Sequence, residues 1–355
     1  MIEIPTSDMP NVLDRSAKSG NKKPPLFLAA YGIGKSQSSV EWAKANNREY
    51  VDIRLAYYTF NDVRGFGVPD YEHDTMRFLH SEDFPRNPDG SYLIHWEELT
   101  NCMPATQKVA LQGILDRRIG KYVFPKDSVM MASGNRLKDK TYAERLAAAL
   151  ADRFAIYKVR PDLSSFLKYM EDNFQSAYVY SYIQGNPSAP YDFDIGKWDG
   201  ESNFPTFRSI ERLDELVNSY SSSDELLNDR LLAAHAEAYI GPKHGRMFAE
   251  YVKLTAAVGS VEDLINNADT CKIPDRPDLC WMVACKMISL ATPDNVANCL
   301  KLAHRLTDPT MSDPDTLQSM ESFFGGNIRR RRTDILRTAP MIGWITKHSK
   351  QLTSF

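Results

Sequence analysis

Cysteine and long apolar runs are both scarce in this sequence. Its 355 residues include five cysteines, which is too few for a disulfide scaffold and favours a reducing, cytoplasmic compartment. No stretch of about 18 residues is free of charges or helix breakers, and this argues against a transmembrane helix. The first residues, Met1–Pro5, lack a basic start followed by an apolar segment, so we expect no signal peptide and no membrane partner.

An excess of positive charge is also missing. The chain carries 43 lysines and arginines against 46 acidic residues, a formal net charge of -3. Proteins that bind nucleic-acid phosphates usually show a basic excess or a basic patch. The charge balance therefore argues against a nucleic-acid partner and leaves only a local patch open.

The remaining composition is typical of a folded globular protein, with 43% hydrophobic and 25% charged residues. At about 150 residues per domain, the length predicts two or three domains. From residue 26 to residue 159, strand-length apolar runs alternate with helical patterns. The predicted strands are Leu26–Ala30, Tyr50–Leu55, Leu93–Trp96, Ser128–Ser133 and Phe154–Val159. The predicted helices are Ser36–Ala45, Thr106–Leu115 and Ala143–Leu150. This alternation predicts an α/β domain with a parallel sheet covered on both faces.

The pattern becomes mostly helical after Pro161. Helical periodicity spans residues 162–174, 210–220, 224–239 and 246–258, and another helix begins near Pro293. We therefore predict four segments along the chain. They are an N-terminal approach segment (1–24) with a helix around Met9–Ala17, an α/β core (25–160), a helical segment (161–225) and a C-terminal helical extension (226–355).

The strongest local motif is the glycine-rich segment Ala29–Ser36, which lies between the first predicted strand and the first predicted helix of the core. In a P-loop, glycines let backbone N–H groups face a polyphosphate, a lysine neutralises the β- and γ-phosphates, and a serine hydroxyl binds Mg²⁺. Lys35 and Ser36 occupy those two positions. We predict ATP binding by Ala30, Tyr31, Gly32, Ile33, Gly34, Lys35, Ser36 and Gln37.

One residue of this segment departs from the full motif. Ala29 stands where the P-loop pattern has glycine, and alanine tolerates fewer backbone conformations. The alternative interpretation of the segment is a glycine-rich turn that binds no ligand.

A pair of acids, Glu97 and Glu98, follows the strand-like run that contains His95 and Trp96. An acid at the end of a buried strand can hold Mg²⁺, and a second acid can polarise the attacking water. Glu97 stands where aspartate is usual, so its longer side chain would reach the metal through water or from a shifted strand. The alternative is a strand end before a helical turn, where acids are favoured anyway. We interpret His95 and Trp96 as packing residues.

Two further polar residues lie near predicted strand ends. Asn135 follows a buried strand and could orient the water, although a simple turn is the alternative. Arg153 precedes the last strand of the core and could enter a neighbouring subunit's nucleotide site as an arginine finger. Its alternative is a local ion pair with Asp152, and Arg145 and Arg117 compete for the same role.

The order and spacing of these motifs resemble the MoxR-like branch of the AAA+ ATPases. Besides the P-loop and the acidic pair, the resemblance rests on Asp52–Leu55, Asn61–Gly65, Leu99–Asn101, Pro104–Gln107, Leu115–Gly120, Ala132–Arg136, Ala151–Phe154 and Phe204–Ser209. These segments fall between residues 25 and 220. Beyond residue 225 the chain matches no part of the family pattern.

The resemblance implies a P-loop core with a five-stranded parallel sheet and a helical lid over the nucleotide, here residues 161–225, assembled into a ring that is usually a hexamer. By position it implies Walker A at Lys35 and Ser36, Walker B at Glu97 and Glu98, sensor 1 at Asn135, an arginine finger at Arg153 and sensor 2 at Arg208. It also implies a hairpin within Leu115–Pro125 and an insert at Asp62–Pro69. The departures Ala29 and Glu97 lie in nucleotide-handling motifs, so hydrolysis could be slow.

Members of this family use ATP to remodel other proteins, many of them with a partner that carries a von Willebrand A domain. The resemblance therefore implies an oligomeric ATPase that acts on a protein client. Two other functions stay open. One is a nucleic-acid motor or loader in which Arg117, Arg118 and the basic run Arg329–Arg332 touch phosphates. The other is a scaffold that binds nucleotide but hydrolyses little of it.

Three weaker features have simpler explanations. The four cysteines between Cys271 and Cys299 lack the spacing of a zinc site, so we expect buried thiols. His73 and His80 lie among acids in a segment that we expect to be an exposed loop. The run Arg329–Arg332 is typical of a solvated helix face or helix end.

Overall fold

The computed structural model describes residues 2–139, 146, 151–192, 195–306 and 320–352. The predicted helix Ala143–Leu150, apart from Leu146, and the candidate finger Arg145 lie outside the described residues. The chain divides into two compact units, Met1–Ser165 (unit 1) and Phe166–Phe355 (unit 2). The finer division at residues 24, 160 and 225 stays a prediction.

Unit 1 is built on a six-stranded sheet in which all paired strands are parallel. The spatial order is β1 (Glu3–Pro5), β10 (Ala155–Arg160), β2 (Pro25–Ala29), β9 (Ser128–Asn135), β6 (Tyr92–Glu97) and β3 (Glu49–Arg54). The predicted α/β class is confirmed, and the five predicted strands lie in one parallel sheet. The N-terminal segment adds β1 as a sixth strand at the β10 edge.

The two strands that end near the predicted catalytic residues are the most buried part of this sheet. All six residues of β6 are buried, and so are all residues of β9 except Asn135. Parallel strands covered on both faces need this nearly continuous burial. Leu26, Trp96 and Met130 belong to the core around them. The packing fixes the ends of β6 and β9, which carry Glu97 and Asn135.

Helices and two small hairpins complete unit 1. The helices are α1 (Met9–Lys18), α2 (Lys35–Ala45), α3 (Phe60–Arg64) and α4 (Pro104–Asp116). Antiparallel hairpins pair β4 (Phe66–Asp70) with β5 (Thr75–Leu79) and β7 (Arg118–Ile119) with β8 (Tyr122–Val123). Short 3₁₀ turns cover Thr6–Asp8, Leu55–Tyr57 and Leu137–Asp139.

The described part of unit 2 is helical, as the pattern after Pro161 predicts. Its helices are α5 (Leu163–Asn173, which begins in unit 1), α6 (Ala177–Gly185), α7 (Phe207–Asn218), α8 (Ser223–Asn228), α9 (Leu232–Thr255), α10 (Val261–Asn266), α11 (Pro277–Leu290), α12 (Val296–Leu306), α13 (Met320–Arg331) and α14 (Ala339–Leu352). Short 3₁₀ turns cover Ile195–Lys197 and Ala256–Val258.

Helix α9 is kinked in its middle. Gly241 adopts φ 81° and ψ 168°, and Pro242 follows it inside the helix. A Cβ atom at Gly241 would lie 2.4 Å from the carbonyl oxygen of Asn203, so both the positive φ and the close backbone restrict this position to glycine. None of the helices in the described ranges is long and apolar enough to span a membrane.

The basic run at the end of α13 is used inside unit 2. Arg330 Nη1 lies 3.1 Å from Asp172 Oδ1, and its other terminal nitrogen bonds Glu171. Arg331 donates to the carbonyl oxygen of Glu171 at 2.7 Å, and its Cζ lies 4.3 Å from the centroid of the Phe174 ring. Burial lowers the pKa of Arg331. These contacts tie α13 to the end of α5, which weakens the interpretation of the run as a phosphate-binding patch.

We expect Arg331→Ala to lower the free energy of unfolding by about 2 kcal/mol, because it removes a charged hydrogen bond and a cation–π contact. Urea unfolding followed by circular dichroism measures the change. Arg329→Ala is the matched control, since Arg329 is exposed and its loss should cost little. Equal stability of the two variants would contradict a structural role for Arg331.

Candidate functional site

The glycine-rich loop connects β2 to α2 at the carboxyl edge of the parallel sheet. Gly32 has φ 66° and Gly34 has φ 88°. Apart from the adjoining residues, no atom of the described part of the chain lies within 4 Å of a Cβ built on Gly34, so its positive φ, and not lack of space, favours glycine there. Helix α2 begins at the next residue, Lys35. The first turn of this helix therefore lies beside a loop with the backbone freedom that phosphate binding requires.

Ala29 fits its position without backbone strain. It is the last residue of β2 and is fully buried. Within residues 29–36 only Gly32 and Gly34 have positive φ, so the backbone at Ala29 needs no glycine. The missing first glycine of the pattern therefore does not prevent the loop from forming.

The Lys35 side chain folds back over the loop. Its Nζ donates to the carbonyl oxygen of Ala30 at 2.8 Å, which keeps the ammonium group beside the backbone that would surround a phosphate. Strand β2 lies between β9 and β10, and its register pairs Ala29 with Asn135 on one side and Val159 on the other. In open parallel sheets, ligands bind at the carboxyl ends of such central strands.

Glu97 and Ser36 contact each other across the strand edge. The Ser36 hydroxyl donates a short hydrogen bond to Glu97 Oε1, and Glu97, at the end of β6, is 7% exposed. The longer glutamate side chain thus reaches the P-loop serine directly. A hydroxyl oxygen and a carboxylate oxygen are ligands that Mg²⁺ prefers, so this donor set fits the predicted metal.

Glu98 holds an uncommon backbone conformation. Its φ is 56°, a region that costs a non-glycine residue of order 1–2 kcal/mol. Hydrogen bonds on both sides hold it there, because the Leu99 N–H donates to the Ser133 carbonyl at 2.9 Å and the Asn101 N–H donates to the Glu98 carbonyl at 2.8 Å. Such held strain is common at functional sites. The half-buried Glu98 side chain makes no hydrogen bond or ion pair with the described residues.

Thr100 connects the acidic loop to the end of β9. It lies in the Leu99–Asn101 segment of the family resemblance, but the sequence predicts no role for it. The Asn135 N–H donates to Thr100 Oγ1 at 2.9 Å, and Thr100 Oγ1 lies 3.3 Å from the Asn135 carbonyl oxygen. A Cβ on Gly134 would lie 2.6 Å from the same hydroxyl. Glycine before Asn135 therefore makes room for this connection, which fixes Asn135 relative to the acidic pair.

Next to Glu97, hydrogen bonds join one polar side chain on each of the three strands β3, β6 and β9, and two of these side chains, His95 and Ser133, are buried. His95 is fully buried, and it bonds Tyr50 on β3 through Nδ1 at 2.7 Å and Ser133 on β9 through Nε2 at 2.8 Å. Burial lowers the pKa of His95 to about 4, so the imidazole is neutral at pH 7. Burial also raises the pKa of Tyr50. His95 is thus part of a polar network, and its interpretation as a packing residue was incomplete.

Asp52 and Arg54 form an ion pair on β3, the strand next to Glu97. The Arg54 Nε donates to Asp52 Oδ2 at 2.8 Å and lies 3.2 Å from Glu97 Oε2. The pKa of Asp52 is raised, first by burial and then by the negative charge of Glu97. The motif Asp52–Leu55 contributed to the family resemblance, but only the register of β3 against β6 brings Arg54 opposite Glu97.

The candidate arginines have different environments. Arg153 is exposed just before β10, and no ion pair links it to Asp152. Arg117, by contrast, is partly buried and donates to Asn21 Oδ1 at 3.0 Å and to the carbonyl oxygen of Ser128, so it is not available as a finger. Arg208 is exposed in the first turn of α7, in unit 2.

Other candidate metal sites have no support. Among the described ranges, no group of three or more His, Cys, Asp or Glu side chains is arranged to hold a metal ion. Cys280, Cys285 and Cys299 are buried free thiols, as expected, but Cys271 is only partly buried, so the expectation is wrong for that residue. His73 is exposed and contacts Asp70 at 3.1 Å.

Comparisons with known proteins add little to this geometry. No protein-family model matches the chain, and no curated protein matches it. Among solved structures, the chain is similar to a candidate ATPase from Cytophaga hutchinsonii, with 15% identity over 69% of each chain and a TM-score of 0.37. It is also similar to a mutant of RuvB from Thermotoga maritima, with 12% identity over 80% of this chain and 83% of that chain and a TM-score of 0.37. Similarities this weak do not indicate a function. The functional inference therefore depends on the chain's own residues.

Proposed function

We propose that this chain is a MoxR-like AAA+ ATPase that binds and hydrolyses MgATP in an oligomeric ring and uses the energy to remodel a protein partner. The observation that supports it most is the hydrogen bond between Ser36 and Glu97, which are 61 residues apart. It joins two independently predicted motifs, a phosphate loop and a metal-binding acid, at one strand edge. A client with a von Willebrand A domain is part of the proposal by resemblance alone.

The proposed roles follow from chemistry. The loop N–H groups and Lys35 bind the phosphates, and Ser36 with Glu97 would hold Mg²⁺. When bound, Mg²⁺ neutralises the charge that develops on the phosphates. Glu98 accepts the proton of the attacking water, and Asn135 orients that water. Glu98 follows β6 and Asn135 is the last residue of β9, and these neighbouring parallel strands end at the same sheet edge, so one water molecule can lie within reach of both.

The ring supplies the last group in this proposal. Arg153 is exposed and forms no ion pair with its neighbour Asp152, as a finger that enters an adjacent subunit requires. An arginine of this kind stabilises the transferring phosphoryl group and contributes about 10³-fold or more to turnover. A hexamer is the expected ring, and Arg208 of the helical lid is the proposed sensor 2.

We expect Arg153→Ala to lower turnover by about 10³-fold while nucleotide affinity is retained, because the finger acts only in the transition state. Mixing this variant with Lys35→Ala subunits tests whether the finger acts in trans. The intact Arg153 of one subunit should then serve the intact P-loop of the other, and phosphate release should partly recover. No recovery in mixed oligomers would contradict a finger that acts between subunits.

The two alternative functions predict different results. A nucleic-acid motor predicts DNA-stimulated turnover with steep salt dependence, but the contacts of Arg330 and Arg331 inside unit 2 disfavour it. A nucleotide-gated scaffold predicts ring formation with ATP and no phosphate release. The direct Ser36–Glu97 contact disfavours it, since the longer acid reaches the P-loop.

A further inference from the structure

Both oxygens of the Glu97 carboxylate have partners within the protein. The Ser36 hydroxyl donates to Oε1, and the Nε of Arg54 lies 3.2 Å from Oε2. Because Glu97 is 7% exposed, its charge requires a nearby counter-charge, and the guanidinium group supplies it. A divalent cation that binds Glu97 therefore meets a carboxylate that already has a cationic partner.

Arg54 also has a second carboxylate within reach. Its Nε donates to Asp52 Oδ2 at 2.8 Å, closer than its 3.2 Å approach to Glu97. Alternation along β3 puts Asp52 and Arg54 on the same face of the sheet, and the register puts Arg54 opposite Glu97. The side chain of Arg54 is 50% exposed, so it can move toward Asp52 while its charged end stays in water.

We infer that Arg54 competes with Mg²⁺ for Glu97 and thereby sets the Mg²⁺ concentration that the nucleotide site requires, while Asp52 accepts Arg54 when it leaves Glu97. The inference rests on the proposed function, in which Glu97 binds Mg²⁺. A guanidinium group and a divalent cation repel each other strongly at contact distance in a partly desolvated site. Arg54 must therefore move toward Asp52, or the ion binds less tightly.

Two other roles for Arg54 predict different outcomes. If Arg54 binds a nucleotide phosphate, its removal weakens nucleotide binding with and without Mg²⁺. If it only supports the fold, its removal and the removal of Asp52 change binding in the same direction. Competition for Glu97 predicts opposite effects, because loss of Arg54 frees Glu97 whereas loss of Asp52 leaves Arg54 on Glu97.

The test is equilibrium binding of an N-methylanthraniloyl ATP analogue to the full chain, followed by fluorescence while free Mg²⁺ is varied. We expect Arg54→Gln to lower the Mg²⁺ midpoint by about tenfold, the effect of one modest charge interaction, and Asp52→Asn to raise it. Arg54→Lys keeps the charge and should stay near the wild type. Arg48→Gln is the matched control, since Arg48 pairs with Asp127, outside the site. Binding in EDTA should be the same for all these variants.

An unchanged or raised midpoint in Arg54→Gln, or a shift of Arg54→Gln and Asp52→Asn in the same direction, overturns the inference. If Arg54→Gln does not fold, Asp52→Asn and Arg54→Lys provide the test. The inference then requires a higher Mg²⁺ midpoint in Asp52→Asn and no lower Mg²⁺ midpoint in Arg54→Lys. If nucleotide binding by the wild-type chain does not depend on Mg²⁺, the proposed function is overturned together with the inference. A failure of the inference alone appears only in the variants.

Discussion

Lys35→Ala is expected to weaken MgATP binding by about 100-fold, because the substitution removes a charged donor from the phosphates. In the structure this ammonium group bonds the carbonyl oxygen of Ala30 in the same loop, so its removal changes the charge at the loop and leaves the fold intact. Equilibrium binding of a fluorescent ATP analogue measures the effect, and turnover should be lost in parallel.

Lys44→Ala is the control for this prediction. Lys44 is an exposed lysine near the end of the same helix, α2, so its removal changes the net charge by the same amount away from the loop. Similar affinities for Lys35→Ala and the wild type would mean that the glycine-rich segment is a turn without a ligand.

Glu98→Gln is expected to leave MgATP binding intact and to lower phosphate release by 10²-fold or more, the contribution typical of a positioned general base. Glutamine is nearly isosteric with glutamate, so the left-handed backbone at Glu98 and the bonds of Leu99 and Asn101 around it should persist. Single-turnover phosphate release with saturating ATP separates the chemical step from binding.

Glu49→Gln serves as the matched variant, since Glu49 is an exposed acid at the other end of β3. It should hydrolyse ATP at the wild-type rate. Hydrolysis by Glu98→Gln at the wild-type rate would exclude Glu98 as the base and would move the chemistry to another acid.

The sequence predicts the fold of unit 1 well because its signals are local. The apolar run Leu26–Ala30 corresponds to β2 (Pro25–Ala29), and the glycines and Lys35 give the start of α2 within one residue. The positions of Ser36 and Glu97 follow from that topology, since strands that run parallel bring their carboxyl ends to one edge. The glycine spacing of the loop and the predicted strand ends are enough to predict that Ser36 and Glu97 lie close together.

Long-range register explains what the sequence does not predict. Arg117 is a finger candidate from its motif, yet its partner Asn21 is 96 residues away. The network of His95 and the approach of Arg54 to Glu97 depend on how β3, β6 and β9 align, and a single sequence does not contain that alignment. The sequence predicts a solvated basic run at Arg330 and Arg331, whereas in the structure both side chains contact the end of α5.

The most direct test of the account is steady-state phosphate release per protomer, measured with MgATP over a wide range of protein concentrations. A site completed by a neighbour's Arg153 predicts a rate per protomer that rises with concentration and then saturates as rings form. A measurable rate that does not depend on concentration would contradict a site shared between subunits. A rate near zero at every concentration would mean that the chain does not hydrolyse ATP without a protein partner. It would favour the nucleotide-gated scaffold.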